Sequence, residues 1–219
     1  MALDGIREMS SQFTESNSPH TVTYLEVAPS QANSVAQKLL DLRKHADLLT
    51  GLRGLKVLRR MTRSHHFVII AGWDKIEAFE EARAGVLQSS FDQLDPNLIA
   101  GIDTRIHPGV IGGPDGTRSR TAMFVVTHID VPPPNKDQCI ELLTGQVANA
   151  RRRTGNASYE VFQQADRQNH FTIVEGWSTA DDYQSHLVSD HTRRFRKKLT
   201  PLSGALYDER IYSELEEIA

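Results

Sequence analysis

Between Val174 and His191 the chain reads VEGWSTADDYQSHLVSDH, an apolar run that ends in tryptophan and then a polar segment with two histidines. The groups here that suit proton transfer near neutral pH are His186 and His191, with Glu175, Trp177 and Tyr183 beside them as candidate binding groups. Histidine titrates nearest neutrality of the common side chains, so either imidazole suits a general base. The HExxH zinc pattern needs two histidines four apart with a glutamate after the first, and this spacing does not supply it. No metal ligand set is read from the stretch. On one continuous helix a spacing of five residues sets the two rings about 140° apart, at about 100° per residue, so only one is expected to face a site squarely.

The chain carries its own control. Val68 to Leu87 reads VIIAGWDKIEAFEEARAGVL, with the same Gly-Trp pair and an aromatic residue six positions after the tryptophan. Ala71, Ala82 and Leu87 stand where the later stretch has Glu175, His186 and His191, while Trp73 and Phe79 match Trp177 and Tyr183.

This correspondence is part of a longer one. Moving the sequence by 104 positions lays VTYLEVAP (22–29) on VTHIDVPP (126–133), Thr50-Gly51 on Thr154-Gly155, HFVIIAGW (66–73) on HFTIVEGW (170–177) and Phe91 on Phe195. After one extra residue in the second copy, Pro96 meets Pro201 and DTRIH (103–107) meets DERIY (208–212). A fixed-period self-match of this kind marks a repeat. The copies are expected at residues 21–107 and 121–213, after a flexible segment at 1–20, with a Gly/Pro-rich linker at 108–120 and a tail at 214–219.

The second copy also yields its elements. AMFVVTHIDV is rich in β-branched and aromatic residues and stops at prolines, so it reads as a strand. Cys139, Ile140, Leu143, Val147 and Ala150 fall at helical spacing within 135–153. SYEVFQQA and HFTIVEGW form a hairpin across a polar turn. Ser178 or Thr179 caps a helix expected to run to about Leu199, with Asp181 and Asp182 favourably placed at its positive end, and ALYDERIY is the last strand. The order β-α-β-β-α-β is the split ferredoxin-like unit, an α+β class. On HFTIVEGW, Phe171, Ile173, Glu175 and Trp177 share one face and Thr172, Val174 and Gly176 the other, so both faces are largely apolar. Two such units are expected to pair their antiparallel sheets as a dimeric α+β barrel within one chain. His128 alternates with Phe124 and Val126, faces inward, and is a further candidate pocket group or a hydrogen-bonded core histidine.

Bulk properties bound the function classes. With 39% apolar and 24% charged residues and a net charge of -3, the composition is that of a soluble globular protein. The basic runs RRR (151–153) and RRFRKK (193–198) fall at helix C-termini, where cations favour the dipole, and read as solvated ends; no nucleic-acid partner is expected. GVIGGPDG lacks the GK[ST] of a phosphate loop. No apolar run approaches the ~20 residues that span a bilayer and the start shows no signal-peptide pattern, so no membrane partner and a cytoplasmic location are expected. Cys139, alone and on an apolar stripe, reads as a buried inert thiol. The pair His65-His66, with Asn169 and His170, sits at hairpin turns and reads as solvated.

The layout IVEGW, STADDYQSHLVSDH, Phe195 and a closing strand resembles the antibiotic biosynthesis monooxygenase family of dimeric α+β barrels, including the small quinol monooxygenases. Nearly all of both repeats is covered, and the most specific piece, Glu175, Trp177, His186 and His191, is entire in the second repeat alone. The resemblance implies a pocket between sheet and helices and oxygenation of a small electron-rich aromatic by O2 without metal or flavin. On that reading His186 or His191 is the catalytic base, and Trp177, Glu175, Tyr183, His128 and Phe195 bind the substrate. The chemistry is reasonable, because a deprotonated quinol or anthrone can itself pass an electron to oxygen; the protein supplies a base, orientation and a dry cavity. Other readings on the same scaffold are a haem-binding or haem-degrading protein with His186 or His191 as ligand, an isomerase, and a non-catalytic ligand-binding or stress-response module. The paired helical surfaces allow a homodimer.

Overall fold

The computed structural model describes residues 18–113 and 120–216. The expected flexible segment as far as residue 17, the linker residues 114–119 and the last three residues of the tail lie outside the described residues. The chain divides into two compact units, an N-terminal one of residues 18–107 with 212–216 and a C-terminal one of 108–113 with 120–211.

The N-terminal unit runs β1 (His20–Glu26), α1 (Ala32–Lys44), β2 (Leu52–Arg60), β3 (His66–Trp73), α2 (Ile76–Ala84), α3 (Val86–Asp92) and β4 (Asp103–His107). Its strands lie in the antiparallel order β4-β1-β3-β2. Val35, Ala36, Leu39 and Leu40 of α1 give the helix an apolar face, and they pack with Phe67, Ile69, Ala71 and Trp73 of β3 and Phe79 of α2. Tyr212, Ser213 and Glu214 pair with Arg60, Arg59 and Leu58 of β2, and Leu215 is buried in the same core. Tail residues Glu214 and Leu215 thus serve this unit.

The C-terminal unit repeats the order. β5 (Val110–Ile111) comes first, then β6 (Met123–Asp130), α4 (Lys136–Ala150), β7 (Asn156–Gln163), β8 (His170–Trp177), α5 (Ala180–Leu187), α6 (Asp190–Leu199) and the start of β9 (Asp208–Glu214). The strand order is β9-β6-β8-β7-β5. Val110 and Ile111, expected within a linker, pair with Phe162 and Val161 of β7 and are buried, because two apolar residues beside an open strand edge gain more from pairing than from solvent. One face of the sheet is covered by Cys139, Leu143, Val147 and Ala150 of α4 and by Phe195 and Leu199 of α6, packed on Ile129, Phe171 and Ile173. Cys139 is fully buried and burial pushes its thiol up to about 12, which leaves it un-ionised.

The helix expected from Thr179 to Leu199 is two helices. Val188 and Ser189 separate them, and Ser189 has extended backbone at φ -67°, ψ 151°. Ser followed by Asp is a favoured helix start, and here the Ser189 hydroxyl donates to the His186 carbonyl at the end of the preceding helix, at 2.7 Å. Thr179 caps α5 as expected, accepting from the Asp182 amide at 3.1 Å.

Candidate functional site

β8 delivers the first two groups. Phe171 and Ile173 fix which face of the strand lies under the helices, and the alternation continues to Glu175 and Trp177 on that face. The two side chains are joined: Trp177 Nε1 donates to Glu175 Oε2 at 2.9 Å. α5 then brings in Tyr183 and His186, one turn apart on its buried side. The His186 ring lies 4.7 Å from the Trp177 ring and 6.1 Å from that of Tyr159, centre to centre, and is 2% exposed.

Because the helix breaks at residues 188–189, His186 and His191 are not held about 140° apart on one helix. They belong to different helices, and their rings lie 5.3 Å apart. Both therefore reach one region, His186 buried and His191 half-exposed. A chain of polar groups joins them: Thr192 Oγ1 is 3.3 Å from His186 Nε2, Ser189 Oγ lies 3.1 Å from Thr192 Oγ1, and Ser189 Oγ is 3.3 Å from His191 Nε2. From α4 the Gln146 amide donates to Thr192 Oγ1 at 3.2 Å and lies 3.4 Å from His186 Nε2. With an amide donor aimed at it, Nε2 is the nitrogen that carries the lone pair in this network.

Glu175 Oε2 and His186 Nε2 stand 3.9 Å apart, both almost wholly buried. Burial disfavours charge on each. It raises the Glu175 carboxyl to about 8, against the lowering by the Trp177 hydrogen bond, with the Glu209 charge adding to the rise. It lowers His186 to about 3, helped by His191, Arg153 and Arg196. The pair is an uncharged acid beside an uncharged base, not an ion pair. His191 is also lowered, by burial first and then by Arg153 and Arg194.

Beside this cluster Tyr183 donates to Glu209 Oε1 at 3.2 Å, Arg196 donates to the same oxygen at 2.5 Å, and the Arg196 guanidinium lies 5.0 Å above the Tyr207 ring. Arg196 is therefore not a solvated helix end. Nor is Arg151, which donates to the carbonyls of Tyr159, Gly112 and Gly113.

Of the other expected site residues, Phe195 is buried in the apolar core under α4 and α6. His128 pairs with Thr172, so it lies on the opposite sheet face from Glu175 and Trp177, and the structure does not bring it to the cluster. Gln146, Ser189, Thr192, Arg196, Tyr159 and Glu209 were not picked out as site residues from sequence. Gln146 left a trace, a polar residue on the apolar stripe of Cys139, Leu143, Val147 and Ala150.

A half-open cavity of about 360 Å³ lies in the N-terminal unit, lined by Phe79, Phe91, Leu98 and Ile102 with Asp92 and Thr104. In the repeat register Phe79, Asp92, Ile102 and Thr104 correspond to Tyr183, Arg196, Tyr207 and Glu209. The residues that line this cavity thus match, in the sequence register, the Tyr183–Glu209–Arg196 group of the C-terminal unit.

Residues 122–198 match the family model of the antibiotic biosynthesis monooxygenases. The Bacillus subtilis protein YcnE, called a "putative monooxygenase", is 27% identical over 90 residues, which is 41% of this chain and 94% of YcnE. A solved structure from Fusobacterium nucleatum under the same description superposes with a TM-score of 0.81 at 15% identity, covering 93% of this chain and 94% of the other. An "anthrone oxidase-like protein" superposes with a TM-score of 0.72 at 12% identity over 92% and 93% of the two chains. These two likenesses establish the shared fold. The segment that holds Glu175, Trp177, His186 and His191 thus lies within the part of the chain that is similar to the antibiotic biosynthesis monooxygenases.

Proposed function

We propose that the chain is an oxygen-consuming monooxygenase or oxidase of a small quinol, phenol or anthrone, that its chemistry resides in the C-terminal unit, and that the N-terminal unit is a duplicated copy with an altered interior. The observation that carries this reading is the Glu175–His186 pair, 3.9 Å apart and buried beside Trp177 in the unit that matches the family model.

His186 Nε2 is the base. Burial holds His186 low in the empty site, and negative charge developing on a bound substrate beside the ring raises its proton affinity as it takes the proton of a hydroxyl or activated C–H, while the Glu175 carboxyl can hydrogen-bond the oxygen that bears that charge. In an anthrone the ring CH2 becomes C=O; its two hydrogens leave as water with the second oxygen atom, and the carbon supplies all four electrons that O2 takes up. No external reductant enters this balance. The proton leaves through Thr192, Ser189 and His191, which connect the buried imidazole to a half-exposed one. Trp177 and Tyr183, both buried with ring centres 6.2 Å apart, are the aromatic rings that a flat substrate entering beside His186 would meet.

Oxygen uptake by chelator-treated protein, measured with a panel of hydroquinones and anthrones, tests the proposal. The expected result is uptake above the uncatalysed rate with at least one compound class; no uptake by folded protein with any of them overturns it.

A further inference from the structure

A second group of ligating side chains stands at the hairpin end of the N-terminal unit, apart from the candidate site. Glu26 ends β1, His65 lies in the turn between β2 and β3, and His66 opens β3. One donor atom from each lies within 4.8 Å of the other two. Glu26 Oε1 and His66 Nε2 are 3.6 Å apart, and the two imidazole rings are 4.5 Å apart centre to centre. The backbone under them is pinned, the Val27 amide donating to the His65 carbonyl at 3.0 Å and the His66 amide to that of Arg63 at 2.9 Å. His66 Nε2 is buried and makes no hydrogen bond.

We propose that Glu26, His65 and His66 bind one divalent first-row transition ion of the zinc class, with solvent at the remaining position. Two imidazoles and one carboxylate are the ligand set for such an ion, whereas calcium and magnesium take oxygen. Bonds of about 2.0–2.2 Å in a tetrahedron hold donor atoms roughly 3.4 Å apart. The Glu26–His66 pair is already near that spacing, and rotation of the half-buried His65 ring closes the third edge. The positive charges of neighbouring Arg60 and Arg63 oppose a cation, so the affinity is that of an exchangeable site, not of a structural zinc.

The same register in the C-terminal unit holds Asp130, Asn169 and His170, and it is built differently. His170 Nδ1 meets Asp130 Oδ1 directly at 2.8 Å, and the Asn169 amide donates to the Val131 carbonyl at 2.6 Å. That nitrogen is engaged, and the third ligand is an amide already bonded elsewhere.

The test is calorimetric titration of the full, chelator-treated chain with zinc chloride at neutral pH. The proteins are wild type, Glu26→Gln, His65→Gln, His66→Gln and the control His170→Gln, each shown to be folded by circular dichroism. One zinc per chain is expected, weakened more than about tenfold by each of the first three changes, since even outer-shell partners of a metal are worth that much, and unchanged in the control. Cobalt(II) in place of zinc should give a visible tetrahedral absorption that follows the same pattern. Failure of wild type to bind one zinc, binding retained in His66→Gln, or equal loss in His170→Gln would overturn the proposal. Its outcome is independent of oxygen uptake.

Discussion

At positions 104 apart in sequence the two units carry different side chains on matching elements. In the N-terminal unit Ala71, Trp73, Phe79, Ala82 and Leu87 belong to one apolar core, and Trp73 Nε1 donates to the Thr21 hydroxyl at 3.1 Å. In the C-terminal unit the matching tryptophan donates to a buried carboxyl, and an imidazole replaces the alanine next to it. Burying a carboxyl and an imidazole costs desolvation free energy that two alanines avoid. The apolar solution exists in the same chain, so packing does not require the polar one. A local rule broken in one unit and obeyed at the matching positions of the other speaks for a chemical role there.

The most direct way to break the comparison is to write the N-terminal solution into the C-terminal unit. His186→Ala is expected to lower the oxygen-uptake rate by about 10²–10⁴-fold, the usual contribution of a positioned base, with the fold retained by circular dichroism. Ala82→Gly, at the matching position, should leave the rate within about twofold, because that side chain lies in an apolar core and contributes no proton chemistry. Equal losses from both changes would remove the distinction between the units.

The turn before each hairpin sharpens it on the side of stability. Gly51 and Gly155 have φ +77° and +76°, where a side chain is strained. A Cβ at 51 would sit 2.7 Å from the Ala78 methyl, which is fixed to its helix; at 155 it would sit 2.0 Å from Asp182 Cγ, which can swing away by giving up its contact with Thr179. Alanine at either position should cost about 1–3 kcal/mol for the backbone alone. In thermal unfolding the further steric loss is expected to be larger at Gly51, despite the longer distance, because Ala78 has no rotamer to change.

How much of this was legible depends on the range of the signal. The strands, the amphipathic α4, the Thr179 cap and the alternation that puts Glu175 and Trp177 on one face were all readable, since each is set by neighbours within a few residues. The Ser189-Asp190 start was present too, but the apolar periodicity through Leu187 and Phe195 hid it, and with it the fact that both histidines reach one region. β5 is two residues long, too short for a period-two pattern. For His128 the alternation was correct, yet which sheet face lies under the helices is a tertiary fact. Arg196 and Glu209 lie far apart in sequence and meet only once α6 and β9 are placed.

Proton linkage gives a medium-sized effect. Glu175 binds its proton more tightly in the folded chain, about 8 against 4.5, so its contribution is fully present below pH 4.5 and lost as pH rises toward 8. His186 binds its proton less tightly, about 3 against 6.5, so its contribution is lost as pH falls from 6.5 toward 3. The two slopes offset each other between 4.5 and 6.5. Glu175→Gln keeps the acceptor for Trp177 and removes the titration, so its melting temperature relative to wild type should climb steadily between pH 5 and pH 8. The matching position, Ala71, has nothing to titrate. A constant difference across that range would mean that the buried carboxyl is already ionised.

The smallest effect separates charge from packing at the position where the N-terminal unit has Thr104. Glu209→Gln keeps the size of the side chain and an acceptor for Tyr183 while removing the charge that Thr104 lacks. The Arg196–Glu209 pair is partly exposed, so losing it should change stability by no more than about 1 kcal/mol. The Glu209 charge is one of the influences that raise Glu175, and its removal lets the buried carboxyl ionise more readily. The pH dependence of melting in Glu209→Gln should therefore have its alkaline limb shallower than wild type, in the same sense as Glu175→Gln but weaker. If that limb stays unchanged while oxygen uptake falls, Glu209 acts by holding Tyr183 and Arg196 in place, and the open space lined by Phe79 and Thr104 differs from its counterpart in shape rather than in field.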